Sequence, residues 1–125
     1  MQQKEGSSMA NDLERPTIVI GSIDRDGLGT EWLKPLLNGI EEEQIPFSLQ
    51  SIAVKDTVSR AYQAALASRL SVGIAYDNKR YVIHYKNLPE QEPLFDVTVV
   101  DAKQLRALGA NAARLVKGIP FKNLS

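Results

Sequence analysis

Leu105–Phe121, LRALGANAARLVKGIPF, is a helix, a stop and a tail in one stretch. Asp101 stands where an N-cap belongs and Gln104 completes the pattern of a capping box, while Gly118 and Pro120 supply the stop. At about 100° per residue, Leu105, Leu108, Ala112, Leu115 and Val116 share one face, and Lys103, Arg106, Arg114 and Lys117 gather on another. One face is core and the other basic. Periodicity does not explain the run Gly109–Ala113, GANAA, because a mid-helix glycine costs about 1 kcal/mol relative to alanine. A close approach, to the domain's own sheet or to a partner, or a bend, is expected there.

Working back from that helix, Leu94–Val100 reads as the strand that delivers the chain to Asp101, and NLPEQEP at 87–93 is a proline-marked loop. Arg80–Lys86, RYVIHYK, follows the turn residues Asp77, Asn78 and Lys79, so it returns antiparallel to Leu70–Tyr76, LSVGIAY. Asp56 caps a helix to about Ser68, in which Val58, Ala61, Tyr62, Ala65 and Leu66 recur at helical spacing. Ile45–Val54 is a strand with Pro46 at its entry. Ahead of it a helix is expected over 30–44, with Leu33, Leu36, Leu37 and Ile40 buried. Pro35 interrupts its first turns, unless the start is looser or lies nearer Lys34. Thr17–Gly21, TIVIG, is a short β-branched run suited to a strand buried on both faces. Residues 1–15 are polar and aperiodic and are expected to be a flexible tail before a single domain at 16–125. The order strand, helix, strand, helix, hairpin, strand, helix predicts a small α/β domain with a mixed, mostly parallel sheet of about five strands and three main helices.

A 125-residue chain that is 43% hydrophobic has enough apolar material for one core. Lysine plus arginine balance aspartate plus glutamate at 15 each, so no global field draws the protein to nucleic acid or membrane. Residues 1–62 carry 6 basic and 10 acidic side chains, and residues 63–125 carry 9 and 5, a polarity that scattered solvated charge also produces. Without cysteine there are no disulfides, thiolate metal sites or thiol nucleophiles. No apolar run approaches the roughly 20 residues of a membrane span, and a cytoplasmic location is expected.

Catalytic signatures are scarce. Asp24, Asp26, Gly27 and Gly29 form a turn at the carboxyl end of the first strand, where open α/β sheets place ligands, but they match neither a calcium loop nor a phosphate-binding signature. His84 is the lone histidine, on a strand, with no serine and acid constellation; a hydrogen-bonded structural role is the simpler reading. A receiver domain using Asp24, Asp26, Asp77 and Lys86 fails because the hairpin after Tyr76 leaves no room for its next helix. Among Glu41, Glu42 and Glu43, Glu42 points most directly away from the buried stripe, which by itself describes a solvated helix face.

The segments VGIAYD at 72–77, VIHYKNLPEQEPLF at 82–95, LGANAARLVKGIPF at 108–121 and GIEEEQIPF at 39–47 together resemble the small subunit of the reactivating factor for adenosylcobalamin-dependent diol and glycerol dehydratases. The resemblance spans residues 17–124. It implies a non-catalytic subunit that works with a large, actin-like ATPase subunit, which binds ATP or ADP, to release damaged cobalamin from an inactivated dehydratase by subunit exchange. Two large and two small subunits make up the resting factor in that family. The resemblance also makes Glu42 a ligand, from this chain, to a divalent cation held mainly by the large subunit, with magnesium the expected ion. The basic stripe of Lys103, Arg106, Arg114 and Lys117 is a further candidate for the large-subunit contact.

Two rivals stand beside this. One is a medium-subunit-like domain of the dehydratase itself, disfavoured because the chain holds this domain and little else. The other is a small independent enzyme using Asp24, Asp26 or His84. Diol against glycerol as the client's substrate, and packaging in a bacterial microcompartment, stay open.

Overall fold

The computed structural model of the chain describes residues 15–23 and 30–124. The tail expected at 1–15 falls outside it except for Arg15, as does the turn bearing Asp24, Asp26, Gly27 and Gly29. In chain order the elements are β1 (Ile18–Ser22), α1 (Thr30–Glu42), β2 (Phe47–Ser51), α2 (Thr57–Ala67), β3 (Val72–Asp77), β4 (Arg80–Tyr85), β5 (Phe95–Thr98) and α3 (Ala102–Lys117). They form one five-stranded sheet in the order β2-β1-β3-β4-β5. β1 pairs parallel with β2 and β3, whereas β4 is antiparallel to both β3 and β5, so four of the strands share a direction. The expected mixed α/β sheet with three helices is the fold observed.

Three layers follow from the connections. The crossovers β1-α1-β2 and β2-α2-β3 step in opposite directions along the sheet, and right-handed connections then put their helices on opposite faces. Period-two alternation sorts the strand residues accordingly. Ile18, Ile20, Val72, Ile74, Tyr81 and Ile83 meet Leu33, Leu36 and Ile40 of α1 and Leu105, Leu108 and Ala112 of α3. The opposite face is built small: a Cβ on Gly73 would meet the Ala61 carbonyl oxygen at 2.5 Å, so α2 lies almost on the backbone of β3. Ala61, Ala64, Ala65, Ala75 and Val82 fill the remainder of that layer. The stripe expected on α2 is rotated as a result: Arg60 and Ala64 are buried, while Leu66 is 45% exposed.

The caps are as spelled. Asp101 accepts from the Gln104 amide at 2.8 Å. The Gln104 side chain reaches one residue beyond the usual partner and accepts from the Val100 amide at 2.7 Å. At the other end Gly118 adopts φ 72° and donates to Leu115, and Ile119 donates to Arg114, a Schellman stop. Asp56 caps α2 through the Ser59 amide at 2.9 Å. α1 is helical from Thr30 straight through Pro35, not from Lys34, because so near the start only the bond to the Glu31 carbonyl is forfeited. It ends at Glu42, two residues short of the expected Gln44, which instead turns the chain at φ 63°.

Candidate functional site

The close approach in the small-residue run of α3 is made at Gly109, and it is to α1; Ala112 and Ala113 in the same run belong to the core beneath the sheet. A Cβ on Gly109 would overlap the Leu36 carbonyl oxygen, and one on Gly39 would overlap the Arg106 carbonyl oxygen and approach the Ala110 nitrogen to 2.8 Å. The two helices run parallel, with Pro35 beside Leu105 near their starts and Glu43 beside Arg114 near their ends. Buried Asn111 serves the same economy of space. Its amide accepts from the Lys122 nitrogen at 2.6 Å and donates to the Lys122 carbonyl at 3.0 Å, which clamps the tail after Gly118 against α3. Phe121 then packs edge-on against Phe95 at a centroid distance of 5.2 Å.

This crossing decides where the glutamates go. Glu42 lies one turn beyond Gly39 and Arg106 one turn before Gly109, and the Arg106 Nη2 donates to Glu42 Oε2. The pair is open to water, with 57% of the arginine side chain and 34% of the glutamate side chain exposed. Glu43 turns the other way. It accepts from Lys117 Nζ at 2.9 Å and Arg114 Nε at 3.0 Å, with only 11% of its side chain exposed, and the Lys117 bond, then the Arg114 bond, hold its carboxyl below the usual carboxylate range. Glu41 is exposed. Three of the four cations in the basic stripe are therefore engaged inside the domain, and the stripe is a helix-to-helix fastening more than an open cationic surface.

Glu42 alone could serve a metal only as one ligand. Among the described residues no three His, Asp or Glu side chains converge to hold an ion. A single exposed carboxylate, with one oxygen on a water-accessible arginine, suits a hard cation whose other ligands come from elsewhere.

His84 is excluded from solvent chemistry by its bonds. The ring is fully buried, Nε2 donates to the Glu90 carbonyl at 2.8 Å, and Nδ1 accepts from the Tyr85 amide at 3.0 Å. Tyr62 covers it at a ring distance of 5.1 Å. Asp24 and Asp26 lie outside the described residues. At the carboxyl end of the sheet, Trp32, Pro35, Tyr81, Val99, Val100 and Leu105 line an open groove of about 320 Å³, with Trp32 63% and Val100 78% exposed.

Arg60 carries little signal in the sequence. Only 2% exposed, it donates to the carbonyls of Tyr76 at 2.6 Å, Val54 at 2.7 Å and Lys55 at 3.1 Å, with a longer bond to Gly21 at 3.4 Å. Burial pulls its guanidinium down from its ordinary value, opposed by Asp77, Tyr76 and Asp56. It ties the ends of β1 and β3 to the segment that enters α2. A cation in the first turn of a helix, against the dipole, was the one local hint.

Residues 15–122 match the protein family described as dehydratase medium subunit. The chain belongs to the dehydratase medium-subunit family. Within that family its similarity runs to reactivating-factor subunits. It is 52% identical to the diol dehydratase-reactivating factor small subunit of Klebsiella michiganensis, over 88% of this chain and 86% of that one. It is 49% identical to the propanediol dehydratase-reactivating factor small subunit of Salmonella typhimurium, over 93% and 98%. A solved structure of diol dehydratase-reactivating factor complexed with ADP and Mg2+ contains a chain that superposes with a TM-score of 0.77 at 50% identity, covering 87% of this chain and 99% of that one.

Proposed function

We propose that this chain is the non-catalytic small subunit of a dehydratase reactivase, and that its client is a diol dehydratase. Identity of about half over nearly the whole length of reactivating-factor small subunits is the observation that carries this reading. In it, an ATPase large subunit binds ATP or ADP, two large and two small subunits form the resting factor, and damaged cobalamin leaves the dehydratase when subunits exchange. The family description supports the exchange: a reactivase subunit built on the dehydratase medium-subunit fold can occupy that subunit's place. The chemistry assigned to this chain is binding. No catalytic group is assigned to it, in keeping with the enclosed His84. A cytoplasmic location accompanies the reading, and among the described residues no helix is long and apolar enough to cross a membrane.

Glu42 is assigned to the large-subunit contact. The relative solved with ADP and Mg2+ supports magnesium as the ion. A bound divalent cation would neutralise carboxylates from two chains at once, making the contact firm but removable. What this chain contributes is one carboxylate at the end of α1, held in place by the crossing with α3.

Reconstitution tests the function. The chain, its large subunit, ATP and magnesium are added to a diol dehydratase inactivated with damaged cobalamin, and fresh coenzyme is supplied. Recovery of dehydratase activity that needs both subunits is expected; recovery without this chain would refute the assignment. Co-purification of the two subunits should weaken on chelation and in Glu42→Ala, and unchanged assembly in both would remove Glu42 from the site.

A further inference from the structure

Glu42 and Glu43 end the same helix and differ in how they are held. Two cations enclose the Glu43 carboxylate, which is 11% exposed, and Lys117 also donates to the Glu43 carbonyl at 3.2 Å. Glu42 has one partner, Arg106, and both side chains of that pair reach water. The backbones beneath are closely packed, with Gly39 and Gly109 seating each helix on the other's main chain. The Glu42–Arg106 contact can therefore open by side-chain rotation alone, and because both side chains reach water no buried surface opposes it.

We infer that Arg106 sets how much divalent cation the assembly needs: its guanidinium occupies the Glu42 carboxylate in the free subunit and competes with the cation for it. The inference rests on the assignment of Glu42 to the large-subunit contact and adds the residue that tunes it. A guanidinium and a divalent cation sharing one carboxylate repel each other across a few ångströms, so ligation by Glu42 requires Arg106 to leave or to be weakened. While the subunit is alone, the same arginine neutralises a carboxylate that sits unfavourably at the negative end of α1. Exchange between two docking sites is served by such an arrangement, since the carboxylate always has a cation to return to.

The test is a magnesium titration of complex formation between this chain and the large subunit, followed by light scattering. Arg106→Met is expected to lower the magnesium midpoint about two- to fivefold, the range spanned by an exposed ion pair. Arg106→Lys, which keeps a cation, should stay nearer the parent, and Glu41→Gln should leave the midpoint in place. Glu42→Ala should abolish the magnesium dependence, and adding Arg106→Met to it should change nothing more. Magnesium dependence that persists in Glu42→Ala would remove the Glu42 assignment, and this inference with it. Dependence lost in Glu42→Ala but a midpoint unchanged or raised in Arg106→Met would overturn the competition alone.

Discussion

Gly39 of α1 lies against the main chain of Arg106 in α3, so close that any side chain at position 39 would occupy the space of the Arg106 carbonyl oxygen. Gly109 makes the reciprocal approach to Leu36. These contacts set the distance between the helices and, through it, the pairing of Glu42 with Arg106 and of Glu43 with Arg114 and Lys117.

Replacing either crossing glycine should therefore destabilise the domain. Alanine in a helix interior ordinarily gains about 1 kcal/mol over glycine. Here the overlap is with backbone, which cannot swing aside, and overpacking of this kind costs about 1–3 kcal/mol. Gly39→Ala and Gly109→Ala are expected to lower the urea midpoint of unfolding, and Gly109→Leu to lower it further. A midpoint preserved in Gly109→Leu would show that the helices can part.

Arg60→Met should be among the costlier substitutions outside the apolar core. It would leave the carbonyls of Tyr76, Val54 and Lys55 without their side-chain donor at the junction of β1, β3 and α2. A loss of about 2–4 kcal/mol is expected from urea unfolding. Arg60→Lys should recover only part, because one ammonium cannot reach carbonyls that the guanidinium serves with separate nitrogens.

Stability should fall in acid partly through Glu43. Its carboxyl titrates below its ordinary value in the folded chain, so the stabilisation is fully present above the unfolded-state pKa and is lost as pH falls through the folded-state pKa. Asp96, lowered by Arg80, and Asp56, lowered by the Ser59 amide, act in the same direction. Glu43→Gln should lower the melting temperature at pH 7, with the gap narrowing as pH falls below the unfolded-state glutamate pKa of about 4.3 and vanishing once the pH is below the depressed folded-state pKa. Thermal melts of the parent and Glu43→Gln at a series of pH values measure it.

Asn111→Leu should release the tail while leaving the sheet formed. The Lys122 amide, now held by Asn111 Oδ1 at 2.6 Å, should exchange with solvent much faster, as read by hydrogen exchange. Amides of β3 and β4 should keep their protection relative to the global unfolding of the variant.

Legibility in the sequence followed the range of the forces. The caps at Asp56, Asp101 and Gly118, the hairpin at Asp77–Arg80 and the burial of TIVIG depend on neighbours a few residues away or on period-two and helical spacing, and each was readable in the chain itself. On α2 the expected Ala61 and Ala65 are buried, but the stripe is rotated toward Arg60 and Ala64 because glycine and alanine, weak hydrophobic markers, form that interface, and because Arg60 is buried through carbonyls that carry no sequence signal.

The site divides in the same way. Helical spacing alone turned Glu42 away from the buried stripe, and family-wide motifs named the subunit to which the chain is related. Tertiary structure alone decided that Arg106, 64 residues further on, would meet Glu42, and that Glu43 would be enclosed by Arg114 and Lys117. Spacing fixes where a side chain leaves its own helix, but a pairing between helices depends on how near and at what height they pack. Two glycines far apart in the chain set both.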